Sequence, residues 1–171
     1  GEITDKTGVA INNIRLEGAG QLASSLNNVS VYNCHALGSG NLVGTAKGST
    51  SFDFCSAENS AKETTSSHTL IGTADGSDVT ITNSFVATSA TGFTSIGTVK
   101  ATNSFIIGSG DTKSYYWPQS TQQESSNKVE FSIDAKNVTA TTVTINQETK
   151  KLIDLLNEGS AENGEWVYVY D

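Results

Sequence analysis

Apolar and polar residues alternate along five segments in the first two thirds of the chain. "VAINNIRLEGAG", "VSVYNCHALGSG", "TSFDFCSAENSA", "VTITNSFVATSA" and "VKATNSFIIGSG", beginning at positions 9, 29, 50, 79 and 99, align without gaps. Val9, Val29, Thr50, Val79 and Val99 form one column, and Ile11, Val31, Phe52, Ile81 and Ala101 form the next, two places on. Alternation of period two marks a strand with one buried face. Then come Asn13, Asn33, Asn83 and Asn103, with Phe54 as the exception, and the apolar phase slips by one. Ile14, Cys34, Cys55, Ser84 and Ser104 continue it, followed by Leu16, Ala36, Ala57, Val86 and Ile106. A strand that changes phase at an asparagine is expected to bend there, because Asn tolerates the left-handed conformation and its amide can bond nearby backbone. Such amides, repeated on successive coils, can form a hydrogen-bonded ladder.

A second phrase recurs between these segments: "NLVGTAKGS" from Asn41, "TLIGTADGS" from Thr69 and a shortened "TSIGT" from Thr94. "QLASSLNN" from Gln21 holds the same place without its glycine. The phrase predicts a further apolar strand ending at a glycine turn. Units near 20 residues have no room for a helix each, and they lack the leucine spacing of a leucine-rich repeat. The remaining solution is a coil of short strands stacked about 4.8 Å from its neighbours. The expected fold is therefore an all-β solenoid, a parallel β-helix of about five coils over residues 1–113. The longer interval before the fourth unit points to a loop over 61–68.

From about Ser114 the pattern changes. "SYYWPQS" reads as a junction, "KVEFSIDA" (128–135) and "TATTVTINQ" (139–147) as strands, "ETKKLIDLLNEG" (148–159) as a helix and "EWVYVYD" as a closing strand. Residues 114–171 are thus expected to form a small α+β cap over the open end of the solenoid.

Composition narrows the function. The chain has 171 residues, a net charge of −8, one Pro, no Met and two Cys. Its acidity argues against nucleic acid or an anionic membrane as partner. No apolar run approaches the roughly 20 residues of a membrane span, and the chain reads as a trimmed mature region without its leader.

The segments "GNLVGTAKGSTSFDFCSAENSA" and "TLIGTADGSDVTITNSFVATSA" resemble the GLUG repeat found in surface and secreted proteins of gut Bacteroidetes. The likeness covers about residues 20–110; the first unit lacks the glycine phrase and Phe54 replaces an Asn. It implies right-handed coiling, an extracellular or bacterial cell-surface location, and adhesion as the role. It transfers no active site.

The expected function is therefore a non-enzymatic surface module, an adhesin or spacer contacting a host protein or glycan. A carbohydrate-binding or carbohydrate-cleaving module and a plain structural stalk are the alternatives. Cys34 and Cys55 share a column and are expected to be buried thiols, a disulfide being the rival reading. His35, next to Cys34, should face the other way. Two cysteines with His35 and His68 do not make a zinc spacing, and no cofactor is expected. Asp53 stands alone in its column, whereas Asp75 and Asp78 belong to a glycine turn that could touch calcium. Tyr115, Tyr116 and Trp117 are the candidate ligand-stacking residues, with plugging of the solenoid as their other use. Trp166, Tyr168 and Tyr170 are assigned to packing.

Overall fold

The computed structural model describes residues 2–3, 8–18, 20–38, 40–58, 69–76, 78–87, 92–107, 115–117, 127–128, 130–132, 142–145 and 147–158. In chain order the elements begin with β1 (Glu2–Ile3), β2 (Val9–Glu17), β3 (Ala23–Asn27), β4 (Val29–Leu37), β5 (Val43–Lys47), β6 (Ser51–Asp53) and β7 (Ser56–Glu58). They continue with β8 (Ile71–Asp75), β9 (Thr80–Thr82), β10 (Phe85–Ala87), β11 (Thr94–Ile96), β12 (Lys100–Thr102) and β13 (Ser104–Ile107). The remainder are β14 (Tyr115–Trp117), β15 (Asn127–Lys128), β16 (Glu130–Ser132), β17 (Thr142–Ile145), β18 (Glu148–Lys151) and the helix α1 (Leu152–Glu158).

The first thirteen strands stack in parallel as a β-solenoid of about four turns. One column, the third, is β1-β3-β5-β8-β11. The first and second columns lie before and after a bend that β2 and β4 each run through, whereas later rungs split there into two strands. Ser30–Tyr32 of β4 pairs with β6, and His35–Leu37 pairs with β7. The register is the one the sequence columns specify: Val9 lies on Val29, Ile14 on Cys34, Phe52 on Ile81 and Phe85 on Phe105. Alternating residues on either side of the bend therefore point inward. Val29, Val31, Cys34, Ala36, Phe52, Cys55, Ala57, Ile81, Val86 and Ile106 join one buried cluster with Leu26, Val43, Ala46 and Ile71 of the third column. Val9, Ile11, Ile14 and Leu16 of the first rung are only partly buried.

The glycine phrase forms the expected strand and ends at the expected turn, with Gly48 at φ 57° after β5 and Gly76 at φ 142° after β8. The earlier glycines of the phrase, Gly44 and Gly72, lie second in β5 and β8 and serve a different purpose. A Cβ at Gly44 would stand 2.6 Å from the Ser24 carbonyl oxygen, and one at Gly72 would stand 2.6 Å from that of Gly44. Each rung thus settles against the backbone of the rung before it. Only glycine permits that approach.

The cap departs from expectation at its helix. Glu148–Lys151 is a strand rather than a first helical turn, because it pairs with β17 in a tight hairpin that turns at Gln147, at φ 70°. The helix then begins at Leu152. β16, β17 and β18 form a three-stranded antiparallel sheet. Val143, Leu152, Leu155 and Leu156 pack with Phe85, Phe105 and Ile107, whose neighbours Val86 and Ile106 face the solenoid core. The described part of the cap therefore covers the outer flank of the second column rather than the open end of the core. β14 extends that column by pairing antiparallel with β13. The loop at 61–68 and the strand at 165–171 lie outside the described residues.

The close approach at Gly72 gives a paired expectation. Gly72→Ala should lower unfolding free energy by about 1–3 kcal/mol through overpacking. Gly20→Ala, where an added Cβ meets nothing within 4 Å, should leave the urea midpoint within the range of an ordinary surface change. Equal effects of the two would contradict the account of the glycine phrase.

Candidate functional site

The outer corner of the solenoid is built by one backbone conformation repeated on every rung. Asn13, Asn33, Phe54, Asn83 and Asn103 have φ of 56°, 49°, 54°, 47° and 43°. The left-handed region is accessible to Asn at small cost, while a residue such as Phe pays roughly 1–2 kcal/mol to occupy it. The bend interrupts strand pairing, so backbone groups there need other partners. The next residue supplies them. Cys34 Sγ, Cys55 Sγ, Ser84 Oγ and Ser104 Oγ each donate to the carbonyl two residues earlier, at 3.3, 3.4, 2.6 and 2.8 Å. Ser84 Oγ also accepts from the Cys55 amide at 2.9 Å, and Ser104 Oγ from the Ser84 amide at 3.2 Å. On the four rungs after the first, where Ile14 stands, this column carries a small hydrogen-bonding side chain, a thiol or a hydroxyl.

The asparagine ladder forms, and it has a gap. Asn33 Nδ2 donates to Asn13 Oδ1 at 2.7 Å, and Asn103 Nδ2 donates to Asn83 Oδ1 at 2.8 Å. At its far end Asn103 Nδ2 also donates to the Leu155 carbonyl of α1, at 3.1 Å, which ties the corner to the cap. Phe54 cannot join, and the two halves are completed by detours around it. From above, Asn83 Nδ2 donates to Asp53 Oδ1 at 3.0 Å, and Thr82 Oγ1 donates to the same oxygen at 2.8 Å. From below, Asn33 Oδ1 lies 2.8 Å from His35 Nε2, and His35 Nδ1 lies 2.9 Å from Ser56 Oγ. Ser56 Oγ reaches Glu58 Oε1 at 3.2 Å, and both Ser56 and Glu58 are buried. The sequence left Asp53 without a role and His35 merely half-exposed. Their function as bridges is set by the single Phe in the asparagine column.

Burial, reinforced by the Arg15 guanidinium, pushes the His35 imidazole down to about 4, so the ring is neutral near pH 7. A neutral imidazole donates from one nitrogen and accepts at the other. With Nε2 donating to Asn33, the one Ser56 hydroxyl hydrogen serves either His35 Nδ1 or Glu58. Both thiols are free and buried. Desolvation raises the pKa of Cys34, and raises that of Cys55 well above the ordinary thiol range. They are protonated at neutral pH and shielded from reagents.

At the third rung the ladder position is taken by an aromatic pair. The Phe54 ring is buried and meets Tyr32 edge-on, with centroids 5.6 Å apart and planes at 80°. Tyr32 is half-buried on the outer wall, flanked in register by Asn12 on one rung and Asp53 on the next. This is an aromatic surface residue that the sequence did not single out, because its column otherwise holds Asn, Asp and Thr. The side chains of Tyr115, Tyr116 and Trp117 lie outside the described residues, as do His68, Trp166, Tyr168 and Tyr170. Asp78 is paired with Lys100 at 3.2 Å and Asp75 is exposed. Among the described residues, no three of His, Cys, Asp and Glu gather as a metal-holding group. No protein-family model, curated protein or solved structure matches the chain.

Two outcomes follow from this corner. Cys55→Ser keeps the donor and should change stability by less than about 1 kcal/mol, whereas Cys55→Val removes it from a buried site and should cost about 1–3 kcal/mol. Thermal melts of the two variants compare them directly. His35 binds its proton less tightly folded than unfolded, so its contribution is complete above pH 6.5 and is lost as pH falls toward 4. That loss is at most about 3 kcal/mol. The NMR shifts of its ring should titrate near 4, and the difference in stability between wild type and His35→Gln should shrink across that window. A midpoint near 6.5 would contradict the burial argument.

Proposed function

We propose that this chain is a non-enzymatic contact module of a bacterial surface protein, which uses its outer wall rather than a pocket to meet an extracellular protein or glycan. The observation that supports this reading is the chemistry of the first column's outer face. Ala10, Ser30, Ser51, Thr80 and Lys100 form one row, and Asn12, Tyr32, Asp53, Thr82 and Thr102 form the row beside it. Hydroxyl, amide and carboxylate groups thus recur at the rung spacing of about 4.8 Å, held by a rigid backbone. Such an array offers many small contacts to an extended partner. The GLUG-like repeats add the expectation of a cell-surface setting.

Screening the protein on a glycan array and on immobilised matrix proteins tests this reading. Reproducible binding to one class, weakened when Ser51 and Thr80 on the wall are replaced by Lys, is the expected result. Binding to neither would move the assignment to a structural stalk.

A further inference from the structure

We infer that the outer wall at Tyr32, Asp53 and Asn12 is a carbohydrate-contact site for an extended, uncharged glycan, with Phe54 as its support. The inference rests on the surface-contact reading above and names where the contact is made and with what.

The starting point is a residue that contradicts its own column. Four rungs place Asn at the left-handed corner, and the third places Phe54 there at φ 54°. Phenylalanine is ill suited to that conformation and also breaks the amide ladder. A residue that strains the backbone and removes hydrogen bonds points to a use outside the scaffold. What Phe54 supplies is an edge-on contact to the half-buried Tyr32 ring, at 5.6 Å between centroids.

The groups around Tyr32 complete the chemistry. Asp53 lies directly above it in register and Asn12 directly below. Both hydrogen bonds to Asp53 arrive at Oδ1, from Thr82 and Asn83, so the carboxylate is held in place while Oδ2 has no partner among the described residues. A carboxylate oxygen of this kind accepts strongly from hydroxyls, and the exposed Asn12 amide can both donate and accept. The adjoining row is short, with Ala10, Ser30 and Ser51, where Ser51 Oγ lies 3.4 Å from Ser30 Oγ. The wall therefore presents a shallow track bordered by one fixed ring. A sugar ring matches it: its C–H face lies against the aromatic, and its hydroxyls reach Asp53 and Asn12. The carboxylate at the centre and the net charge of −8 disfavour a polyanion.

The test uses the whole chain with defined probes: cello-, xylo-, manno- and N-acetylglucosamine hexasaccharides by calorimetry, with oligogalacturonate as the charged control. At least one neutral hexasaccharide should bind and the charged control should not. Tyr32→Ala should weaken binding at least tenfold with the circular dichroism spectrum unchanged. Phe54→Asn is the sharper variant. It relieves the strained corner and rejoins the ladder while removing the buried ring that supports Tyr32, so binding should weaken at least fivefold with the circular dichroism spectrum unchanged. Neutral-glycan binding that survives both substitutions would overturn the site but leave the surface-contact reading intact. Binding to matrix proteins without any neutral glycan would overturn the carbohydrate assignment alone.

Discussion

Everything in the solenoid depends on one turn of the backbone. A left-handed residue at the same place on each rung redirects the strand, so that two columns can share one interior. Because the turn is repeated in register, the residues beside it stack into columns whose chemistry is uniform along the axis.

Polar groups released by that turn find partners among neighbouring side chains. The small donor following the bend ties back to the carbonyl two residues earlier, and the side-chain amides link rung to rung. A buried polar group without a partner costs about 1–3 kcal/mol, more than most single hydrogen bonds contribute. That asymmetry explains why the one rung without Asn is surrounded by substitutes. Asp53 takes the amide from above, and His35 carries the connection toward Ser56 from below. The adjacent Cys34 and His35 are therefore unrelated in use: one clamps the backbone inside, and the other bridges a gap outside.

The exterior of the second column changes character along the axis for a similar reason. Arg15 and His35 stand where Phe85 and Phe105 stand two to four rungs later. The phenylalanines lie under the helix of the cap and the polar residues lie beyond it. One wall thus acquires two different stretches, one docking the cap and one carrying Arg15, His35 and Ser56.

Much of this was legible in the sequence because period and phase are local properties. The repeat, the parallel register, the left-handed asparagines and the buried cysteines all follow from which residue recurs at which offset. Other features needed the fold, since they join residues 20 to 50 positions apart. The turn that ends the glycine phrase was legible, but the need for Gly44 and Gly72 was not, because it comes from the carbonyl of the preceding rung. The tail's "ETKK" has nothing local to make it a strand, and only pairing with β17 does so. Asp53 and His35 became bridges because Phe54 left a gap between rungs. The sequence by itself determined the repeating coil, through alternation and the conformational freedom of Asn. Only the tertiary structure decided how the irregular rung is repaired, because hydrogen bonds across the stack depend on which side chains are brought within 3 Å of one another.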